Sequence, residues 1–344
     1  MKGLLLIGGL ATRLLPLSKH LAKSLLPVCD RELLHYQVTA LARAGIGEIV
    51  LACGYKAEQV REYVEQYNGL TFRISSELEP RGTAGAIAQA AEYLDGDSAV
   101  VLNADILSDV DISKLVAAHT AGRRPATICG YAVADPSRYG LLRTTADNQI
   151  SAFNEKPDGV SIDEKPYINA GLYVLEPDVI AAIPTGRAVS IERETFPQLI
   201  AQHGALTLYP HEGLWLDVGT FESYFAANFA LLARRFTLGD NALWAERDDA
   251  AIFKDLVYLH KSARLGAKVD LFHKVIVMAG CRVGSTVRLE NCILMPGARV
   301  GDNCALSSCI VGPGYEVAPG SIIQNTLLVR DEEPTAFFPS ATEV

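Results

Sequence analysis

The feature that most constrains this chain is a six-residue beat in its final third. Leu259, Leu265, Leu271, Val277, Val283 and Leu289 recur at that interval, then the phase slips to Leu294, Val300 and Leu306, and slips again to Val311, Val317 and Ile323. Glycines are interspersed at Gly266, Gly280, Gly284, Gly301, Gly312 and Gly320. This period predicts a parallel β-helix, in which each short face contributes one apolar side chain to an axial stack. Coils of this kind present exposed edges, so the region is expected to mediate contacts between subunits.

The first two-thirds has a different texture. Leu4-Leu5-Leu6-Ile7 is a short apolar run that breaks into Gly8-Gly9-Leu10-Ala11-Thr12-Arg13, with Lys23 following. Such a run reads as a buried parallel strand emptying into a turn at the sheet edge where open α/β sheets bind ligands. Glycines let backbone N–H groups approach phosphate oxygens, while Arg and Lys supply fixed positive charge. The loop is neither the dinucleotide fingerprint nor a Walker loop, and by itself it also fits an ordinary strand-to-helix turn. Apolar runs then alternate with helical spacing: Arg31 to Gly45, Ile49 to Cys53, Ala57 to Tyr67, Phe72 to Ser75 and Ala99 to Leu102. That βαβα order predicts a parallel sheet with helices on both faces.

At 344 residues, two domains are expected. No apolar run approaches the ~20 residues of a membrane span, and Met1-Lys2-Gly3 leads straight into strand-like sequence, so a cytoplasmic location is expected. Seven cysteines occur without Cys-x-x-Cys spacing, which argues against a zinc site or a disulfide framework; Cys281, Cys292, Cys304 and Cys309 read as small buried hydrophobes. A net charge of −9 makes nucleic acid an unlikely partner but leaves room for an anionic small ligand beside local cations and a metal.

Several strings carry more. Gly8-Gly9-Leu10-Ala11-Thr12-Arg13-Leu14-Leu15-Pro16-Leu17-Ser18 and Ala22-Lys23-Ser24-Leu25-Leu26-Pro27-Val28 resemble the signature of the sugar-1-phosphate nucleotidylyltransferases. Glu77-Leu78-Glu79-Pro80-Arg81-Gly82-Thr83-Ala84-Gly85, Asn103-Ala104-Asp105, Glu155-Lys156-Pro157, Asn169-Ala170-Gly171 and Trp215-Leu216-Asp217-Val218-Gly219-Thr220 follow in that family's order. The likeness spans Met1 to about Arg235 and is strongest to mannose-1-phosphate guanylyltransferases with a C-terminal left-handed β-helix. Ala11 and Ala104 stand where the family has Gly, Ala22 where it has Pro, and Arg81 replaces the usual Leu.

The resemblance implies a Rossmann-like, mixed but mostly parallel α/β sheet for residues 1–235 and a left-handed β-helix over 251–330; a linker over 236–250 and a mobile tail over 331–344 are expected around them. It implies transfer of a nucleoside monophosphate, GMP from GTP by preference over ATP or the pyrimidines, onto a sugar 1-phosphate. Mannose 1-phosphate is the default acceptor, with another hexose, heptose or cyclitol phosphate open. Arg13 and Lys23 would be catalytic; Gly8, Gly9, Ala11, Thr12, Glu79, Gly82 and Thr83 would hold the nucleotide; Gly140, Glu155, Lys156 and Asn169 would hold the sugar phosphate. Asp105 and Asp217 would be Mg²⁺ ligands. A homo-oligomer, dimer or tetramer, is implied. The rival from another class is a non-catalytic regulatory subunit that keeps the fold and binds nucleotide-sugar. Acyltransferases also carry similar β-helices, but His260 and His273 are lone here and read as surface or packing residues.

Overall fold

The computed structural model describes residues 1–9, 11–77, 79–155, 166–234, 251–254 and 256–337. They fall into two compact units, the first built on Met1–Leu10 and Leu34–Asp217, the second on Ala11–Leu33, Val218–Asn241 and Glu246–Val344. The expected linker, 236–250, lies outside the described residues. Among the described residues no helix is long and apolar enough to cross a membrane.

In the first unit the apolar runs are strands: β1 (Lys2–Ile7), β2 (Glu48–Cys53), β3 (Thr71–Ser76) and β4 (Ala99–Asn103). β4 leads into a short strand β5 (Ile106–Ser108), and then come β6 (Ala126–Ala132), β7 (Gly140–Thr144), β8 (Gln149–Glu155), β9 (Tyr167–Leu175), β10 (Leu206–His211) and β11 (Trp215–Asp217). Nine of them form one sheet in the order β3-β2-β1-β4-β9-β6-β10-β8-β7. The β3-β2-β1-β4 half is parallel, with Leu5 in register with both Leu51 and Leu102, while β9 enters antiparallel to β4 and β6. The predicted hairpin is β7–β8.

Helices α1 (Leu33–Arg43), α2 (Ala57–Val64), α3 (Gly82–Leu94), α4 (Ile112–Gly122), α5 (Pro177–Ala181) and α6 (Phe196–His203) connect these strands. Covered on both faces, the central strands are near-continuous apolar sequence, as burial on two sides requires. Leu4, Val50, Ile87, Val101, Tyr173 and Phe196 share one core cluster, and Tyr173 meets Phe196 edge to face with ring centroids 5.1 Å apart. The parallel half aligns the carboxyl ends of β1, β2 and β4, so that Gly8-Gly9 and Asn103-Ala104-Asp105 leave the sheet at the same edge.

The second unit holds the predicted β-helix. Three parallel stacks run along it: Val277–Leu294–Val311–Leu328, Leu289–Leu306–Ile323 and Leu265–Val283–Val300–Val317. Both phase slips lie at one corner. The first coil spends an extra residue between Phe272 and Val275, where the register shifts; later coils omit it and turn through left-handed Asn291 (φ 50°) and Ser308 (φ 52°). Cys281, Cys292, Cys304 and Cys309 are free, buried and part of the axial core.

Helix α7 (Phe221–Arg234) belongs to this unit, and Phe337 packs on it through Phe225, with ring centroids 5.5 Å apart. The expected mobile tail is therefore corrected over its first half. Thr335–Ala336 pairs antiparallel with Thr326–Leu328, and Phe337 is only 3% exposed, because an aromatic ring gains more from an apolar wall than from solvent.

Candidate functional site

Gly8 and Gly9 leave β1 exposed, with no heavy atom within 4 Å of where a Cβ would sit on either, and Gly9 has a left-handed φ of 100°. A backbone this bare at the carboxyl end of a central strand can be approached closely by a phosphate.

Ala11, in the second unit, answers the question its substitution raised. Its backbone is left-handed (φ 48°, ψ 40°), the conformation that Gly adopts freely and that strains a residue with a Cβ by about 1–2 kcal/mol. Ala22 (φ −59°) and Ala104 carry no such strain. The Ala11 carbonyl accepts from the Ser18 hydroxyl at 2.9 Å and from Leu14 N at 3.0 Å, which fix the loop despite the strain. Thr12 and Arg13 sit exposed in the following 3₁₀ turn, and Lys23 opens a later one, Lys23–Leu25. The chain after Lys23 is pinned to α7: the Tyr224 hydroxyl donates to Pro27 O at 2.6 Å, and Cys29 N donates to Oδ1 of fully buried Asn228 at 2.7 Å.

In the base loop, Gly82 is left-handed (φ 70°), and a Cβ there would lie 2.6 Å from Val189 O. Only glycine fits. The Thr83 hydroxyl donates to Glu192 Oε2 and accepts from Ile191 N, both at 2.9 Å, so it ties α3 to the segment before α6. Glu79 is exposed. Glu77, which opens this motif but was assigned no role, holds a buried Oε1 without a hydrogen bond, and burial lifts its carboxyl above the usual glutamate range, against Arg81, whose N–H and charge lower it.

At the opposite half of the same sheet, Gly140 stands directly across from Glu155 in the β7–β8 ladder. Ile168 is in register with Leu141, so Asn169 follows at the level of Gly140. Three of the four expected sugar residues thus lie side by side; Lys156 lies outside the described residues. The Asn169 amide is held by its own strand, donating to the Tyr173 hydroxyl at 2.7 Å and accepting from Gly171 N at 3.0 Å.

The two aspartates come from motifs over a hundred positions apart, and strand pairing brings their backbones within one ladder position of each other. β11 runs antiparallel to β5, with Asp217 opposite Ile106, so Asp217 and Asp105 are next to one another across the ladder. Supports surround them. Trp215 Nε1 donates to Ala170 O at 2.8 Å, and Asp109 Oδ1 takes Leu214 N at 2.6 Å beside His211 Nε2 at 3.0 Å. Among the described residues no cluster of three or more His, Cys, Asp or Glu could hold a metal by itself. Hard carboxylates such as those of Asp105 and Asp217 are of the type that suits magnesium, which binds through one or two carboxylates and completes its shell with substrate phosphates and water.

Residues 2–234 match the family model described as Nucleotidyl transferase, and residues 253–333 match the GMPPB C-terminal domain. The chain belongs to the nucleotidyl transferase family. Among curated relatives of this family, a mannose-1-phosphate guanyltransferase of Eremothecium gossypii is 39% identical over 67% of this chain and 65% of its own length. One from Hypocrea jecorina is 33% identical over 85% of this chain and 81% of its own length. The mannose-1-phosphate guanylyltransferase catalytic subunit beta of Xenopus tropicalis is 40% identical over 64% of this chain and 61% of its own. The chain thus aligns with somewhat less than two-thirds of the Eremothecium and Xenopus proteins. Among solved structures, a putative glucose-1-phosphate thymidylyltransferase of Bacillus anthracis superposes with a TM-score of 0.63 at 26% identity, covering 70% of this chain and 98% of that one. HddC of Yersinia pseudotuberculosis, complexed with GMP-PN, gives 0.55 at 26% identity over 66% and 97%.

Proposed function

We propose that this chain transfers GMP from GTP onto a sugar 1-phosphate, with mannose 1-phosphate as the first candidate, releasing pyrophosphate and forming a nucleotide-sugar. The observation that supports this reading is the pairing of Asp217 with Ile106, which sets the Asp105 and Asp217 motifs side by side in the sheet unit that also aligns Gly140, Glu155 and Asn169. The names of the relatives favour the guanine donor and the mannose acceptor.

In the reaction, a phosphate oxygen of the sugar 1-phosphate attacks the α-phosphorus of GTP in line with the departing pyrophosphate. Such chemistry needs positioning and charge neutralisation and forms no covalent enzyme intermediate. Arg13 and Lys23 neutralise the triphosphate, and the bare Gly8-Gly9 backbone with Ala11 and Thr12 cradles it. Glu79, Gly82 and Thr83 belong to the base loop. Gly140, Glu155 and Asn169 seat the sugar, and Lys156 holds the attacking phosphate. Asp105 and Asp217 would hold a magnesium ion, which would supply charge stabilisation at the phosphates. The protein works in the cytoplasm as a homo-oligomer that uses its β-helix.

The test is to incubate the purified chain with Mg²⁺, each of GTP, ATP and thymidine triphosphate, and a panel of sugar 1-phosphates, and to measure pyrophosphate. Release is expected to be fastest with GTP and mannose 1-phosphate. Release with another triphosphate alone would move the donor assignment. No release with any pair, together with tight nucleotide-sugar binding, would overturn the enzyme in favour of a regulatory subunit.

A further inference from the structure

Helix α1 carries Gln37 with 4% of its surface exposed. A primary amide on a buried helix face needs partners, since burying one without hydrogen bonds costs several kcal/mol. Its Nε2 donates to two backbone carbonyls, Asn103 O at 3.2 Å and Ile106 O at 2.8 Å. Those carbonyls bracket Ala104-Asp105 on both sides. Ile106 is also the residue that faces Asp217 across the β5–β11 ladder. One amide group therefore grips the turn that carries the first carboxylate and the strand position that faces the second.

The other end of the side chain has no protein hydrogen-bond partner. Gln37 Oε1 is buried without a hydrogen bond, as is Asn103 Oδ1, and a buried unsatisfied acceptor is unfavourable by about 1–3 kcal/mol. Leucine or methionine would fill the same volume with no such oxygen, but would leave both carbonyls without this donor. What the amide supplies that they cannot is the pair of N–H bonds to the turn. Both orphan oxygens belong to residues lining a cavity of about 10 Å³, room for roughly one water, whose two protons match two acceptors. The close approach of Gly171 completes the packing, since a Cβ there would come within 2.8 Å of Asn103 Nδ2 and 3.2 Å of Ile106 Cγ1.

We propose that Gln37 is a positioning residue for the metal-binding carboxylates: it locks the Asn103–Ile106 turn so that Asp105 and Asp217 present their oxygens to one divalent ion. The proposal rests on the reading of those two aspartates as magnesium ligands. Partners that orient ligating groups usually change metal affinity by 10–100-fold when lost.

The test uses the full chain and Mn²⁺ as the probe ion. Binding of Mn²⁺–GTP is followed by water-proton relaxation enhancement, which separates the protein-bound complex from the free one without turnover. Gln37→Met is expected to weaken Mn²⁺–GTP binding by about tenfold, and to lower kcat while leaving the KM for the sugar 1-phosphate and the circular dichroism spectrum unchanged. A folded Gln37→Met with unaltered Mn²⁺ affinity overturns the proposal. Asp217→Asn is the comparator: if it too leaves Mn²⁺ binding intact, the aspartate reading falls, whereas if it abolishes binding and Gln37→Met does not, only the role of Gln37 falls. Gln37→Leu is the second variant should the methionine form not fold. If neither folds, the unaltered protein decides: with glutamine labelled by nitrogen-15, Mn²⁺–GTP must broaden a solvent-protected side-chain amide, and the absence of any broadened glutamine amide overturns the proposal.

Discussion

Asp217 stands opposite Ile106 in the antiparallel pair β5–β11, one residue away from Asp105 on the facing strand. Neither strand belongs to the main sheet, and the pair joins only to each other. It sets side by side the backbones of two motifs that the chain order keeps apart.

Removing one of the two aspartates is the most direct test of the metal reading. Asp217→Ala is expected to lower magnesium-dependent pyrophosphate release by on the order of 100-fold or more, as losing one side of a charge clamp does. A variant with near-normal rate at ordinary magnesium concentrations would refute the assignment.

Ala11 predicts a gain. Because its φ is 48°, Ala11→Gly relieves left-handed strain and is expected to raise unfolding stability by about 1 kcal/mol, net of the extra freedom glycine has in the unfolded chain. Urea denaturation of both forms gives the comparison. An unchanged or lower midpoint would show that the strain is absorbed elsewhere.

Gly82 predicts a loss at the other nucleotide loop. Gly82→Ala must accommodate both a φ of 70° and a Cβ 2.6 Å from Val189 O, and is expected to destabilise by about 2 kcal/mol or more. Thermal unfolding followed by circular dichroism would detect it, and a melting temperature equal to that of the parent would contradict the geometry.

Glu77 predicts a pH dependence. Burial raises its folded carboxyl above the unfolded value, so the folded state holds its proton more tightly. The associated stability is fully present below the unfolded value and is lost as pH rises through the folded one. Glu77→Gln, which cannot ionise, should gain relative to the parent as pH increases from 4 to about 7. Melting temperatures across that range, moving in parallel for the two proteins, would remove Glu77 as the cause.

The C-terminal segment corrects an expectation and can be tested by itself. Phe337→Ala removes a ring that is 3% exposed and packed on Phe225, and is expected to destabilise by about 3 kcal/mol. A loss below about 0.5 kcal/mol, the range of ordinary surface substitutions, would restore the mobile tail.

Much was legible in the chain itself because the signals are local. A six-residue beat has one common solution, and Val283, Val300 and Val317 stack as that beat requires. Glycines at the carboxyl end of an apolar run mark a place where backbone must stay bare, and Gly8 and Gly9 have open space around them. Even the substitution at Ala11 could be flagged from sequence, though its left-handed backbone could not.

What only the tertiary structure decided depends on contacts between distant residues. No periodicity reveals that Asp217 pairs with Ile106, that Gly140 faces Glu155, or that an unremarkable Gln37 reaches two carbonyls of another segment. Nor does composition distinguish a loose terminus from one whose last aromatic ring finds an apolar wall on Phe225. Local propensity and repeat period are properties of neighbouring residues and are written in their order. Register, close approach and the satisfaction of buried polar groups belong to pairs separated by tens to hundreds of positions, and they exist only once the chain has closed upon itself.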